Sequence, residues 1–235
     1  MDTRTAIVTG GSKGIGFAIS RALLERGAQV VISARKQDEL DRARAALGAG
    51  PAVHAIAADV RRGSDADHLV SETVRRFGRL DILVNNAGVG RFVNVIETSD
   101  DDWRQVVETN LTGAFYCSRA AIREMKRGGG GWIINISSLA GKNPFAGGAA
   151  YCASKAALNA FSEALMQEVR FDNIRVSCVM PGSVSTGFGD RGIGGEAEWK
   201  LSPEDVARVV CDLIDHHPRS LASRVELRPS QPRKA

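Results

Sequence analysis

Short apolar runs recur along the chain, and between them the apolar positions fall at helical spacing. Thr5-Ala6-Ile7-Val8-Thr9 is the first such run and reads as a strand. After it, Ile15, Ile19, Ala22 and Leu23 repeat on one face of a helix over 15–26, and Gly27 supplies its stop. The alternation continues with a strand over 29–33 and a charged helix over 37–47, broken by Gly48-Ala49-Gly50-Pro51. A strand over 53–57 follows, then a helix over 65–77 with Ser64 as its expected cap, and a strand over 80–84. A long helical stretch spans about 101–126 and stops at the glycines 128–131. The rest reads as a strand over 132–136, a helix over about 149–171, a strand over 174–179, a glycine-rich loop, a helix over 203–216 and a last strand over 224–227.

Strands that are short, apolar and separated by helices are buried on both faces. That pattern predicts an α/β fold, a doubly wound and mostly parallel sheet of about seven strands with helices on both faces. No repeat, low-complexity tract or linker divides the 235 residues, so one domain over 1–235 is expected. In such sheets ligands bind beyond the carboxyl ends of the strands. The chemistry-bearing residues all fall at such ends or on the helix that follows.

Composition changes this picture little. A hydrophobic share of 43% and a charged share of 25% are those of an ordinary globular protein. The net charge of +4 comes from basic residues interleaved with acids, and the aromatic residues form no stacking platform, so no nucleic-acid role is expected. Cys117, Cys152, Cys178 and Cys211 are too far apart in sequence for a Cys-x-x-Cys pair and read as reduced, buried thiols. His54, His68, His216 and His217 have no metal-ligand spacing, so no metal is expected. The first strand begins at once, no apolar run is long enough to span a membrane, and a cytoplasmic protein is expected.

Gly10-Gly11-Ser12-Lys13-Gly14-Ile15-Gly16 joins the first strand to the first helix. Glycines there permit a tight turn and let backbone N–H groups approach an anion at the helix N-terminus. The spacing differs from both Gly-x-Gly-x-x-Gly and the Walker loop. Where an NAD site usually has a carboxylate at the end of the second strand, this chain has Ala34, followed by Arg35. Arg35 and Lys13, without that carboxylate, point to NADP(H). Asp38 and Glu39 come too late and begin the next helix.

Tyr151 and Lys155 stand one turn apart on the helix over 149–171. An ammonium near a phenol favours the phenolate and lowers its pKa, which suits a group that gives and takes protons. Ser138 ends the preceding strand, from which its hydroxyl can reach the phenol.

With these residues in order, the chain resembles the short-chain dehydrogenases/reductases of the ordinary soluble type, from Thr9 to about Val210. Thr9-Gly10-x-x-x-Gly14-x-Gly16 resembles that family's cofactor motif, Asp59-Val60 its adenine-binding pair, and Asn85-Asn86-Ala87-Gly88 its Asn-Asn-Ala-Gly signature. Asn110, Ser138, Tyr151 and Lys155 match its catalytic residues, and Pro181-Gly182-Ser183-Val184-Ser185-Thr186 resembles its nicotinamide-contacting stretch. The resemblance implies a Rossmann-like fold and hydride transfer between NADP(H) and a carbonyl or secondary alcohol. It assigns Tyr151 as acid/base, Ser138 as carbonyl ligand, Lys155 as partner of the nicotinamide ribose, and Asn110 as holder of a water on a proton path. Cofactor contacts are then expected from Gly10, Ser12, Lys13, Gly14, Ile15, Gly16, Arg35, Asp59, Val60, Asn86, Ala87, Gly88, Tyr151, Lys155, Pro181, Gly182, Val184 and Thr186.

There are two departures from the family pattern. The resemblance implies a substrate-covering loop at about 183–202, but the segment after Thr186 is short and glycine-rich; and the last strand, Val225-Glu226-Leu227-Arg228-Pro229-Ser230, lacks the family's Asp-Gly-Gly ending. A homodimer or homotetramer is implied, and the small residues Ala153, Ala156, Ala157 and Ala160 permit close helix packing either within or between subunits. Arg91, Phe92, Phe145, Phe188 and Trp199 lie where substrate would approach, although packing or surface roles account for each. The substrate remains open among ketones, 3-oxoacyl thioesters and sugar-like carbonyls. The alternative reading is an NADP(H)-binding regulator without turnover. Against it stands the complete acid–base set.

Overall fold

The computed structural model describes residues 4–48, 50–188 and 198–231. Its centre is a seven-stranded, all-parallel sheet in the order β3-β2-β1-β4-β5-β6-β7. The strands are β1 (Thr5–Thr9), β2 (Gln29–Ala34), β3 (Val53–Ala57), β4 (Ile82–Asn85), β5 (Gly131–Ile136), β6 (Ile174–Pro181) and β7 (Arg224–Leu227). The helices are α1 (Gly14–Glu25), α2 (Gln37–Leu47), α3 (Gly63–Phe77), α4 (Asp100–Val107), α5 (Gly113–Arg127), α6 (Ala149–Val169) and α7 (Pro203–Ile214).

Alternation along the strands explains the two cores. Ala6 and Val8, Val30 and Ile32, Ile82 and Val84, and Trp132 and Ile134 face one side, against Ile19, Leu23, Leu40, Val206 and Val210 of α1, α2 and α7. Ile7, Val31, Leu83 and Ile133 face the other, against Leu69, Ala121, Met125 and Leu165 of α3, α5 and α6. Strands buried on both faces tolerate no polar alternation, which is why they read as plain apolar runs. The strand order reverses between β1 and β4, and this switch point opens the crevice where the candidate site lies.

The structure corrects some boundaries. The long helical stretch is two helices joined by a π-helical turn, Glu108–Thr112, which buries Thr109 and Asn110. Such turns recur at functional sites because the extra residue re-aims a side chain. Ser64 does not cap α3: Arg62 occupies the cap position, and the Ser64 hydroxyl meets Asp65 at 3.4 Å. Helix α6 stops at Val169, and a 3₁₀ turn carries Phe171 into solvent. Strand β6 runs on to Pro181, toward the nicotinamide-type stretch. In the expected substrate loop, residues 189–197 lie outside the described residues.

Candidate active site

The glycine turn is stitched to the loop after β4. The Thr9 hydroxyl accepts from the backbone N–H groups of Asn86 and Ala87, each at 3.0 Å, and the Asn86 amide donates to the carbonyls of Thr9 (2.9 Å) and Gly10 (3.2 Å). A Cβ at Gly16 would lie 2.3 Å from the Gly10 oxygen, so only glycine permits this approach. Gly10 and Gly14 both have positive φ. The Asn86 side chain is therefore spent on holding the turn. A Cβ on Gly14 would meet Thr186 at 3.4 Å, which places the stretch after β6 directly across the turn.

The turn suits a phosphate. The N-terminus of α1 is capped by no side chain and has no acid in its first turn, which leaves its dipole and N–H groups facing the crevice. Ser12 and Ile15 flank it. Ala34 ends β2 as expected, so no carboxylate stands where a 2′-phosphate would be repelled. One neighbour was missed in the sequence. Glu39, in the first turn of α2, reaches back to Lys13 (3.6 Å) and Lys36 (3.5 Å). Asp59, expected to face adenine, holds Arg61 through two oxygens at 2.6–3.0 Å, and this guanidinium keeps its carboxyl below the usual range. Val60 packs on Gly113, where a Cβ would lie 2.7 Å from its side chain.

The four candidate catalytic residues come together from three elements. Tyr151 and Lys155 share the first turns of α6, Ser138 follows β5, and Asn110 comes from the π-helical turn. Lys155 is buried and donates to the Ile136 carbonyl at 2.9 Å. Burial lowers its pKa to about 8. Asn110 donates to Ser154 Oγ at 3.0 Å, and a Cβ on Gly88 would lie 3.3 Å from its Oδ1 and 3.7 Å from Lys155 Nζ. Gly88 thus lies against both groups without filling the space between them.

Tyr151 differs from expectation. Its pKa is raised, chiefly by burial, and Ser138 as a hydrogen-bond partner pulls the other way. The Lys155 ammonium lies 5.8 Å from the ring centroid and donates its hydrogen bond to the Ile136 carbonyl instead of the phenol. Aromatic rings pack on it. Phe92 meets Tyr151 edge-on at 5.5 Å, and Phe188 lies at 5.6 Å. Of the other substrate-side residues, Arg91 turns to Asp102 (3.3 Å), and Trp199 lies against Lys200 (5.9 Å). Periodicity carries no signal for the aromatic cluster, because its members come from different loops.

Among the described residues no group of His, Cys, Asp and Glu could hold a metal, and no helix is long and apolar enough to cross a membrane.

A family model described as short chain dehydrogenase matches residues 4–192. The chain is 38% identical to dehydrogenase/reductase SDR family member 4 of Oryctolagus cuniculus, over 79% of this chain and 72% of that protein. It is also 38% identical to a 3-oxoacyl-(acyl-carrier-protein) reductase of Chlamydia pneumoniae, over 88% of this chain and 87% of that one. Among solved structures, a metagenomic short-chain oxidoreductase in complex with NADP superposes with a TM-score of 0.85 at 36% identity, covering 97% and 98% of the two chains. An alcohol dehydrogenase from the archaeon Thermococcus sibiricus, complexed with 5-hydroxy-NADP, gives 0.91 at 28% identity over 100% of both. With the doubly wound sheet and the matched motifs, the chain belongs to the short-chain dehydrogenase/reductase family.

Proposed function

We propose that this oxidoreductase uses NADP(H) to interconvert a carbonyl and a secondary alcohol, with Tyr151 as the general acid and base. The observation that carries this reading is the convergence of Tyr151, Ser138, Lys155 and Asn110 beside the glycine turn. The cofactor, when bound, supplies or accepts the hydride. Tyr151, protonated at neutral pH by its surroundings, gives its proton to the substrate oxygen in reduction and takes it back in oxidation. Ser138 donates to the same oxygen and steadies its developing charge. Lys155 holds the ribose hydroxyls and places a cation near the phenol, and Asn110 holds a water between Lys155 and solvent. Lys13 and Arg35 take the 2′-phosphate, and the absence of a carboxylate at Ala34 and the NADP-bound relatives support that preference. Pro181, Gly182, Val184 and Thr186 border the nicotinamide end. Binding the cofactor alone requires no acid–base set such as Tyr151, Ser138, Lys155 and Asn110, which argues against a regulator without turnover.

Residues 1–235 form one catalytic domain in this reading, and 183–202 cover the substrate. The protein acts as a cytoplasmic homodimer or homotetramer. Ala153, Ala156 and Ala160 support the assembly: they are exposed in the single chain, so its own packing does not explain the small face. The test is a titration of NADPH and NADH side by side, with an Arg35→Ala variant in parallel. Tighter NADPH binding that weakens in the variant is expected. A preference for NADH unaffected by the variant would reject the phosphate site.

A further inference from the structure

Three phenylalanines from three separate segments meet at the candidate acid. Phe92 comes from the loop after β4, Phe145 from the turn before α6, and Phe188 from the stretch after β6. Phe92 is the hub, with ring centroids 5.5 Å from Tyr151, 5.9 Å from Phe145 and 6.5 Å from Phe188. Phe188 closes the set at 5.6 Å from Tyr151. All these spacings are those of interacting rings, and the Phe92–Tyr151 and Phe92–Phe188 pairs are edge-on.

Glycines back the rings. A Cβ on Gly90 would lie 2.7 Å from Phe92 Cζ and 2.8 Å from Phe188 Cε1, and one on Gly148 would lie 2.5 Å from Phe145 Cε2. The rings therefore lie on bare backbone, where any side chain would displace them. Phe188, in contact with the Tyr151 ring, remains 42% exposed, so aromatic surface is still open beside the acid. The nearby guanidinium of Arg91 donates to Asp102 at 3.3 Å.

We propose that Phe92, Phe145 and Phe188 form an aromatic wall beside Tyr151 that selects ketones carrying an aryl group on the carbonyl carbon. An aliphatic wall would take any apolar group of the right size. A wall of rings adds the edge-to-face and offset contacts that only another ring returns, so it distinguishes an aryl group from its saturated counterpart. A sugar or a phosphate-bearing thioester finds little there to pair its polar groups. The inference rests on the carbonyl-reductase reading and names its substrate class. In the reaction, the carbonyl carbon gains the hydride of NADPH as the C=O π bond opens. The oxygen gains the Tyr151 proton, which solvent replaces, and the products are the aryl carbinol and NADP⁺.

The test compares acetophenone with cyclohexyl methyl ketone, which match in carbon skeleton and differ in the ring. A 3-oxobutanoyl thioester of N-acetylcysteamine is the polar probe. Calorimetric binding of 1-phenylethanol and 1-cyclohexylethanol to the NADPH-loaded protein, a combination that cannot react because alcohol and cofactor are both already reduced, runs in parallel and needs no turnover. The wall predicts a lower KM for acetophenone and tighter binding of the phenyl carbinol, each by about five-fold, the scale of one added ring contact. Both ratios should fall to within about two-fold in Phe92→Leu and in Phe188→Leu, which keep apolar bulk but lose the ring. Equal binding of the two carbinols, or a preference for the thioester, would overturn the proposal. Phenyl selectivity in binding without turnover of any carbonyl would uphold the wall and reject the reductase reading instead.

Discussion

Asn110 grips the backbone of Val89 from both sides: its Oδ1 accepts from the Val89 N–H at 2.8 Å, and its Nδ2 donates to the Val89 carbonyl at 2.9 Å. This clamp ties the π-helical turn to the loop that follows β4, and the same amide reaches Ser154 on α6. Asn110→Ala removes three hydrogen bonds and leaves partly buried backbone groups unpaired. A loss of about 2 kcal/mol is expected, seen as a fall in Tm of roughly 4–8 °C, together with a loss of turnover. A variant with wild-type Tm would show that the clamp is dispensable.

Lys155 should cost the fold stability. Its pKa of about 8 lies below the 10.5 of a free lysine, so burial penalises the ammonium by roughly 3 kcal/mol. Between about pH 8 and 10.5 the unfolded chain binds the proton and the folded chain does not, so this contribution makes stability rise with pH. Below that window the full penalty applies. Lys155→Met should therefore melt at or above the wild-type temperature at pH 7, with the difference shrinking toward pH 10, while catalysis is lost. Thermal scans across that range check it, and a variant that is much less stable at pH 7 would contradict it.

Glu39 competes for Lys13, one of the two cations proposed for the 2′-phosphate, and for its neighbour Lys36. Glu39→Gln frees Lys13 and Lys36 from a partly exposed ion pair worth about 0–1 kcal/mol. NADPH affinity should rise by about two- to five-fold, and NADH affinity should stay unchanged. The gain should fade at high salt. An equal effect on both cofactors would mean that these cations do not meet the phosphate.

The raised pKa of Tyr151 sets the directions apart in pH. Reduction uses the protonated phenol, so its rate should hold from about pH 6 to 8. Oxidation needs the phenol to lose its proton and should climb over the same range. Initial rates in both directions test this. A reduction rate that falls steeply through neutrality would place the phenol's pKa below its ordinary value.

Much of this was legible in the sequence because the information is local. Runs such as Ala6-Ile7-Val8 and Ile133-Ile134 are buried on both faces and can hardly read as anything but strands. Gly10, Gly14 and Gly16 sit where backbone conformation or close approach demands glycine. What was missed depends on distance in space. The π-helical turn Glu108–Thr112 contains no glycine or proline, so nothing in the sequence marks a break there. Glu39 read as an ordinary first-turn acid, and nothing in its sequence surroundings says that it reaches Lys13. The effect of Lys155 on Tyr151 was inferred from spacing alone, whereas the phenol's pKa is raised, chiefly by burial that depends on residues distant in sequence.

The central claim is that Tyr151 hands the proton to the substrate oxygen. The most direct measurement is Tyr151→Phe, read for NADPH affinity and for carbonyl reduction on the same preparation. Phenylalanine keeps the ring and its contacts with Phe92 and Phe188 and removes only the hydroxyl. The account predicts NADPH binding within about two-fold of wild type and a fall in kcat of about 10²–10⁴-fold, the range of a lost general acid. Turnover near the wild-type rate would contradict it.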